Sequence, residues 1–301
     1  MIYIFRCAVV TGGNKGFGFE ICRQLASSGI SVMLTSRDVT KGLEALEKLK
    51  TSFGLSNVVF HQLDLTNPIS PPSLAEFIKS HFGKLDILVN NAGILGAITD
   101  EAGFMVMLQD LEAMVAPEED QNKNKPNLKE VITETYELAE QCVQKNYFGV
   151  KSVTRALIPL LQLSGSQKIV NVTSTMGMLE FVSNENALEI LSDGDGLKEE
   201  SVDMFVKDFK GDILESKGWP SCLPAYTVSK ASLNAYTRIL AKQFPTFRVN
   251  CPCPGWVKTD ICFNSGVSTT TEAAERIVNL ALVPDDGPTG LYFSNGEVTL
   301  F

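Results

Sequence analysis

Histidine is almost missing from this chain. There are two in 301 residues, His61 and His81. Neither sits among cysteines or acids spaced as metal ligands, and neither is placed as an obvious catalytic base. Cysteine is sparse and scattered: seven residues, with one Cys-x-Cys pair at Cys251 and Cys253 that has no second half. No metal site is expected. Most of the cysteines lie in apolar segments, which suits reduced, buried thiols and a cytoplasmic protein. Positive charge is also short. The net charge is −9 and the pI about 4.9, which argues against a nucleic-acid partner. No stretch reaches the roughly 18 apolar residues of a membrane span. The apolar start, residues 1–5, is ended by Arg6 and is too short for a signal peptide. Asn171-Val172-Thr173 matches a glycosylation sequon but falls in a strand-like apolar run, so it is read as unused.

What is present is an ordinary soluble composition, 44% apolar and 20% charged, organised around its first stretch. Cys7, Ala8, Val9 and Val10 read as a buried strand. They break into Thr11, Gly12, Gly13, Asn14, Lys15, Gly16, Phe17 and Gly18, and a helical pattern follows with Ile21, Cys22 and Leu25 on one face. Strand, glycine turn and helix form the setting of a phosphate-cradling loop. Glycine lets the backbone approach a pyrophosphate, and the helix N-terminus offers amides and a positive dipole end to it. No Gly-Lys-Ser/Thr closes the turn, so it is not a Walker loop.

The alternation continues. Strands are expected over 30–35, 58–63 and 85–89, and helices over 40–50 and 72–82. This rhythm predicts an α/β fold with a doubly wound parallel sheet and helices on both faces. The second strand runs into Arg37, which suits a ribose 2′-phosphate, with Lys15 as a second cation. Asp38 is one residue late for an acid on the 2′-hydroxyl. Asp64 follows the third strand, placed for an adenine amine. Asn90, Asn91, Ala92 and Gly93 follow the fourth, where small and amide residues suit close approach to a ligand. These stretches all fall at the carboxyl ends of strands, where such sheets bind ligands.

Two regions break the rhythm and are read as cap-like insertions in one domain of 1–301: residues 94–129, with a polar run at 118–129, and residues 177–223. A long helix is expected over 130–148, then another over 152–163 with a break at Pro159. A strand follows over 168–172 and ends beside Ser174. Residues 199–214 read as an amphipathic helix with Val202, Phe205, Val206, Phe209 and Ile213 on one stripe. That stripe must bury over a substrate cleft, against a partner protein or in the core, and the other side is acidic. A long helix over 224–244 carries Tyr226 and Lys230 one turn apart, so the side chains share a face. A lysine cation there would favour the phenolate, making Tyr226 a usable acid toward a carbonyl oxygen. Ser174 supplies a hydroxyl to the same oxygen.

Taken in order, the Thr11–Gly18 turn, Asp64, Asn90-Asn91-Ala92-Gly93, Asn146, Ser174, Tyr226 with Lys230, and Pro254-Gly255 resemble the short-chain dehydrogenase/reductase family over essentially the whole chain. Within it the chain resembles the monomeric carbonyl reductases, including the plant salutaridine and menthone/neomenthol reductases. The resemblance implies a Rossmann-type fold and NADP(H) as cofactor. It makes Tyr226 the acid/base, with Lys230 lowering its pKa and holding the nicotinamide ribose. Ser174 orients the carbonyl, and Asn146 holds a relay water. The cofactor is met by Gly12, Asn14, Lys15, Gly16, Phe17, Gly18, Arg37, Asp64, Leu65, Asn91, Tyr226, Lys230, Pro254, Gly255, Val257 and Thr259. It implies a monomer that reduces a ketone or aldehyde on an apolar small molecule, with Phe104, Met105, Met107, Phe181 and Trp219 as candidate pocket residues. An enone double-bond reductase and a non-catalytic nucleotide-sensing protein are the alternatives.

Overall fold

Four apolar residues in a row make β1, Cys7–Val10, and all four are buried. The computed structural model describes residues 6–115, 128–194, 196–209, 219 and 223–301. After β1 come α1 (Gly16–Ser27), β2 (Ser31–Ser36), α2 (Val39–Phe53), β3 (Val58–Gln62), α3 (Ser70–Phe82) and β4 (Ile87–Asn90). The later frame is α5 (Tyr136–Val143), α6 (Val150–Leu161), β7 (Lys168–Asn171), α9 (Pro224–Gln243), β8 (Arg248–Cys253), α10 (Thr270–Ala281), β9 (Tyr292–Ser294) and β10 (Glu297–Thr299).

Among the described residues, eight strands form one sheet in the order β10-β9-β8-β7-β4-β1-β2-β3. All neighbours are parallel except β9 and β10. Successive residues of a strand face opposite layers. Ile169 packs with Leu157, Leu233 and Tyr236 on one face, and Val170 with Ile21, Leu25 and Ile277 on the other. Both faces are therefore covered, as a parallel sheet requires. The strand order reverses between β1 and β4, and the crevice at such a reversal is where a doubly wound fold binds its ligand.

The region 94–129 is not irregular throughout. Its Met/Leu-rich part is a helix, α4 (Glu101–Val115), preceded by β5 (Ile98–Thr99). The polar run at 118–129 lies almost wholly outside the described residues. The expected helix over 130–148 is divided. Ile132 and Thr133 form β6 (Ile132–Thr133), which pairs antiparallel with β5. β-branched residues prefer that extended pairing. The helix starts only at Tyr136, after Thr135 accepts the Leu138 amide. It then loosens into a π-helical turn, Gln144–Gly149, before α6. Pro159 does not break α6. It lies on the exposed face, where water serves the carbonyl that its missing N–H leaves unpaired.

In the region 177–223 the structure holds α7 (Glu185–Ser192) and α8 (Glu199–Asp208). The apolar stripe is buried: Val202, Phe205, Val206 and Phe209 join the main core, with Phe209 already beyond the helix end. Ile213 lies outside the described residues. The acidic side is not wholly open to a partner. Glu199 and Asp203 both grip the buried Lys151 of α6, Glu199 at 2.5 Å. Tyr147 also donates to Asp203, at 2.9 Å.

Candidate active site

The glycine turn is shaped by contacts on both sides. The Gly13 amide donates to Thr35 of β2 at 2.8 Å. The Thr11 hydroxyl accepts the amides of Asn91 and Ala92 at 2.9 and 3.0 Å, and the Asn91 side chain donates back to the Thr11 carbonyl at 2.8 Å. A β-carbon on Gly18 would fall 2.4 Å from the Gly12 carbonyl oxygen, so a side chain there would push the turn open. Gly12 itself has φ +67°, a left-handed conformation that favours glycine.

This turn opens onto a cleft of about 900 Å³ that runs along the strand ends. Gly12, Asn14, Lys15, Gly16, Phe17 and Gly18 line it, as do Arg37, Asp64, Leu65 and Asn91. So do Ser174, Tyr226, Lys230, Pro254, Gly255, Val257 and Thr259. Asn146 does not. It stands one layer back, in the π-helical turn, and its amide group holds the Ile94 backbone through both N–H and C=O at 2.9 Å. It also donates to Ser229 at 3.1 Å. Gly93 separates it from Lys230: a β-carbon there would meet Asn146 Oδ1 at 3.4 Å and Lys230 Nζ at 3.5 Å.

At the β2 end the cleft is basic. Asp38 also lines the cleft, and one oxygen of its carboxylate caps α2 by accepting the Lys41 amide at 3.0 Å. Arg37 precedes it, with Lys41 one turn on and Lys145 also lining the cleft. Burial works to raise the Asp64 carboxyl. Hydrogen bonds from Thr66, and the charges of Arg37 and Lys145, outweigh it and hold Asp64 below the usual carboxylate range. Sequence reasoning missed both lysines. The signal for Lys41 was its spacing from Arg37; Lys145 carried none beyond standing next to Asn146. Lys15 also lines the cleft, and its ammonium pairs with Asp260 at 2.5 Å.

At the β7 end, Ser174 follows the strand and caps a short turn by accepting the Met176 amide at 3.3 Å. Helix α9 brings Tyr226 and Lys230 beside it. Lys230 Nζ donates to the Val172 carbonyl at 2.9 Å and lies 5.6 Å from the Tyr226 ring centre. Gly177 lets α9 approach so closely: a β-carbon there would lie 2.8 Å from the Lys230 backbone. Burial governs both titrating groups. It pushes the Tyr226 phenol above its usual value, against a smaller downward pull from the Ser174 hydrogen bond. It draws the Lys230 ammonium from 10.5 down to about 8.

The depressed lysine has a consequence for stability. Below about pH 8 the group is charged in both folded and unfolded chains, and the folded state alone bears the desolvation. That penalty fades as pH rises from 8 toward 10.5. Lys230→Met is expected to raise the thermal midpoint at pH 7 while removing carbonyl reduction. A fall in the midpoint would mean that the hydrogen bond to Val172 outweighs desolvation.

The remaining wall is apolar. Phe104, Met107 and Leu108 of α4 face Met176, Leu223, Trp256 and Ile261 across it. Of the other expected pocket residues, Met105 is exposed and Phe181 does not line the cleft. Trp219 is buried between Phe205 and Phe209, with ring centres 6.3 and 5.5 Å away, and belongs to the core beneath α8. Asn171 is fully buried and donates to Thr237 at 2.9 Å, which removes the sequon from any surface.

Residues 6–116 match the family model described as short chain dehydrogenase, and residues 212–288 one described as Enoyl-(Acyl carrier protein) reductase. Salutaridine reductase of Papaver somniferum is 58% identical over 98% of this chain and 96% of its own. A solved structure of salutaridine reductase from the same plant superposes with a TM-score of 0.85 at 59% identity, covering 96% of this chain and 99% of that one. The (+)-neomenthol dehydrogenase of Capsicum annuum is 51% identical, with 98% of each chain covered. A carbonyl reductase [NADPH] of Rattus norvegicus is 36% identical over 93% of this chain and 92% of that one.

Proposed function

The chain belongs to the short-chain dehydrogenase/reductase family, and on that premise we propose that it reduces a ketone or aldehyde on an apolar small molecule to the alcohol, reversibly, with NADPH. The observation that carries this reading is the meeting of Ser174, Tyr226 and Lys230, from β7 and α9, in the same cleft as the glycine turn. The residues fit the cofactor. Glycines keep side chains out of the turn, cations gather where β2 ends, and Gly93 leaves room beside Lys230.

NADPH supplies the hydride when bound. Tyr226 donates its phenolic proton to the carbonyl oxygen, and Ser174 holds that oxygen by a hydrogen bond. Lys230 keeps its ammonium directed to the ribose end and, beside Tyr226, stabilises the phenolate as the proton leaves. Asn146 positions the Ile94 backbone and a relay that reaches Lys230 past Gly93. Arg37 and Lys15 take the 2′-phosphate, with Lys41 beside Arg37. Gly12, Asn14, Gly16, Phe17 and Gly18 cradle the diphosphate. Asp64, Leu65 and Asn91 border the adenosine. Pro254, Gly255, Val257 and Thr259 meet the nicotinamide end. The apolar wall from α4 and the loop after β8 takes the substrate, with 94–129 and 177–223 read as cap-like insertions in a single domain.

A panel of ketones, aldehydes, quinones and enones tests this reading through NADPH oxidation with identification of the products. Alcohols from ketones or aldehydes support it; saturated ketones from enones alone would move the chemistry to the double bond, and no turnover anywhere would leave only nucleotide binding. Arg37→Ala is expected to weaken NADPH by about 10- to 100-fold, the range of a charge-assisted pair, and to leave NADH nearly unchanged. Equal losses for both would remove the phosphate contact from Arg37.

The reading includes a cytoplasmic monomer. Six described cysteines are free and five of them are buried. Helix α8 packs on α9 and pairs with Lys151 of α6, and the resemblance implies that this insertion covers the helices through which tetrameric relatives associate. Gel filtration with light scattering is expected to give about the mass of one 32.8 kDa chain; a stable dimer or tetramer would overturn this part.

A further inference from the structure

Leu223 stands where the apolar end of the cleft meets the start of α9. Its backbone is left-handed, with φ +45° and ψ +49°, and Pro224 opens the helix directly after it. A leucine is costly in that region, and a residue before proline prefers an extended backbone. Among the described residues three others that are not glycine have positive φ: Phe263, Asn264 and Asn295. Asparagine tolerates the conformation, whereas leucine and phenylalanine do not. Leu223 and Phe263 both belong to the apolar cluster that holds Phe104 of α4, and of the two only Leu223 lines the cleft. The Leu223 carbonyl accepts the Thr227 amide at 2.9 Å, which fixes the residue to the first turn of α9. The cluster also takes in Met107, Met176 and Tyr226. Leu223 is 0% exposed, with Phe104 at 4% and Met107 at 2%, so this end of the cleft is closed.

We propose that Leu223 is a specificity-determining residue, which closes the apolar end of the cleft beside Tyr226 and restricts the substrate to compact, single-ring ketones in preference to fused-ring ones. This rests on the carbonyl-reduction reading above and narrows its substrate class. Strain of this kind persists only where the surroundings over-determine it, and it gathers where ligands are clamped. Glycine would satisfy the backbone and leave the end of the cleft open; the leucine side chain fills that space. Tyr226 and Ser174 fix where the carbonyl oxygen sits, and the carbon skeleton behind it lies against the apolar cluster. A second fused ring would need volume that Leu223, Phe104 and Met107 already occupy. An aliphatic wall sorts substrates by size, at about 10- to 200-fold for each methylene that fits or fails to fit.

The test is kcat/KM of the full chain with NADPH on two ketones, cyclohexanone and trans-1-decalone. Leu223→Gly, Leu223→Ala and Leu223→Met are compared with wild type, and thermal midpoints with NADPH titration show that each variant is folded. Wild type should favour cyclohexanone. Leu223→Gly suits the left-handed backbone and is expected to raise the decalone-to-cyclohexanone ratio by about tenfold or more. Leu223→Ala should move the ratio the same way, Leu223→Met should leave it near wild type because the volume is kept, and NADPH affinity should not change. Equal losses on both ketones would assign Leu223 to packing alone and overturn the proposal. So would an unchanged ratio in the glycine and alanine variants, a wild type that prefers decalone, or one that reduces other carbonyl compounds but neither ketone. A wild type that reduces no ketone or aldehyde of the broader panel would refute the carbonyl reading itself, which separates that failure from failure of the size limit.

Discussion

Tyr226→Phe is expected to lower kcat for carbonyl reduction by about 10²- to 10⁴-fold, the span of a lost general acid, while NADPH binding stays within about twofold. The change removes one oxygen and keeps the ring, so the surrounding packing is retained. Without that hydroxyl, the substrate oxygen loses the proton donor that the proposed chemistry assigns to it. The Ser174 hydroxyl is itself weakly acidic and Lys230 is engaged with the Val172 carbonyl at 2.9 Å. Burial holds the phenol above its usual value, and Lys230 Nζ lies 5.6 Å from the ring centre. In the proposed chemistry the proton passes as negative charge develops on the substrate oxygen. Steady-state rates on a ketone substrate, with fluorescence titration of NADPH, separate the two effects. Near-wild-type turnover by this variant would remove Tyr226 from the chemistry; lost cofactor binding would assign it to the nicotinamide end instead.

Lys151→Met is expected to destabilise the fold by about 3–5 kcal/mol, the usual result of removing one member from a buried ion cluster. Lys151 is 3% exposed and is held by Glu199 and Asp203 of α8. Its ammonium also lies over the rings of Tyr147 and Tyr236, at 5.1 and 5.8 Å. Taking the cation away leaves two carboxylates facing each other at a packed interface, with only Arg155, itself largely exposed, still touching Glu199. Methionine fills the volume, so the loss comes from charge and not from a cavity. Asp203→Asn should cost less, because Glu199 still neutralises the lysine. Combining Lys151→Met with Glu199→Gln and Asp203→Asn should recover much of the stability, since no unpaired charge remains. Thermal and urea unfolding read all three. A Lys151→Met protein with an unchanged midpoint would show that the cluster contributes nothing net.

The first ninety residues were largely legible because their structure is local. Each strand is a short apolar run, each helix has one apolar face, and the glycines mark the turns. Legibility failed where contacts between distant segments decided the outcome. The α-helical periodicity over 130–148 did not reveal that Ile132 and Thr133 would pair with Thr99 and Ile98, nor that the helix would widen at Asn146. The stripe of α8 was visible, but the basic partner of its acidic side, Lys151, lay in another helix. Trp219 looked like a pocket residue by type and is a core residue by placement.

The order of residue types by itself determined the alternation of strands and helices, the sheet they had to build, and which side chains are candidates for the chemistry. Folding decided the pairings. It joined Ser174 to Tyr226 and placed Asn146 behind the cleft rather than in it. It turned Asp38 into a helix cap, gathered Arg37, Lys41 and Lys145 along the cleft, and engaged Lys15 with Asp260. The physical reason is range. Propensity and periodicity act within a few residues along the chain, while burial, charge pairing and the pKa values they shift depend on neighbours that only the folded chain brings together.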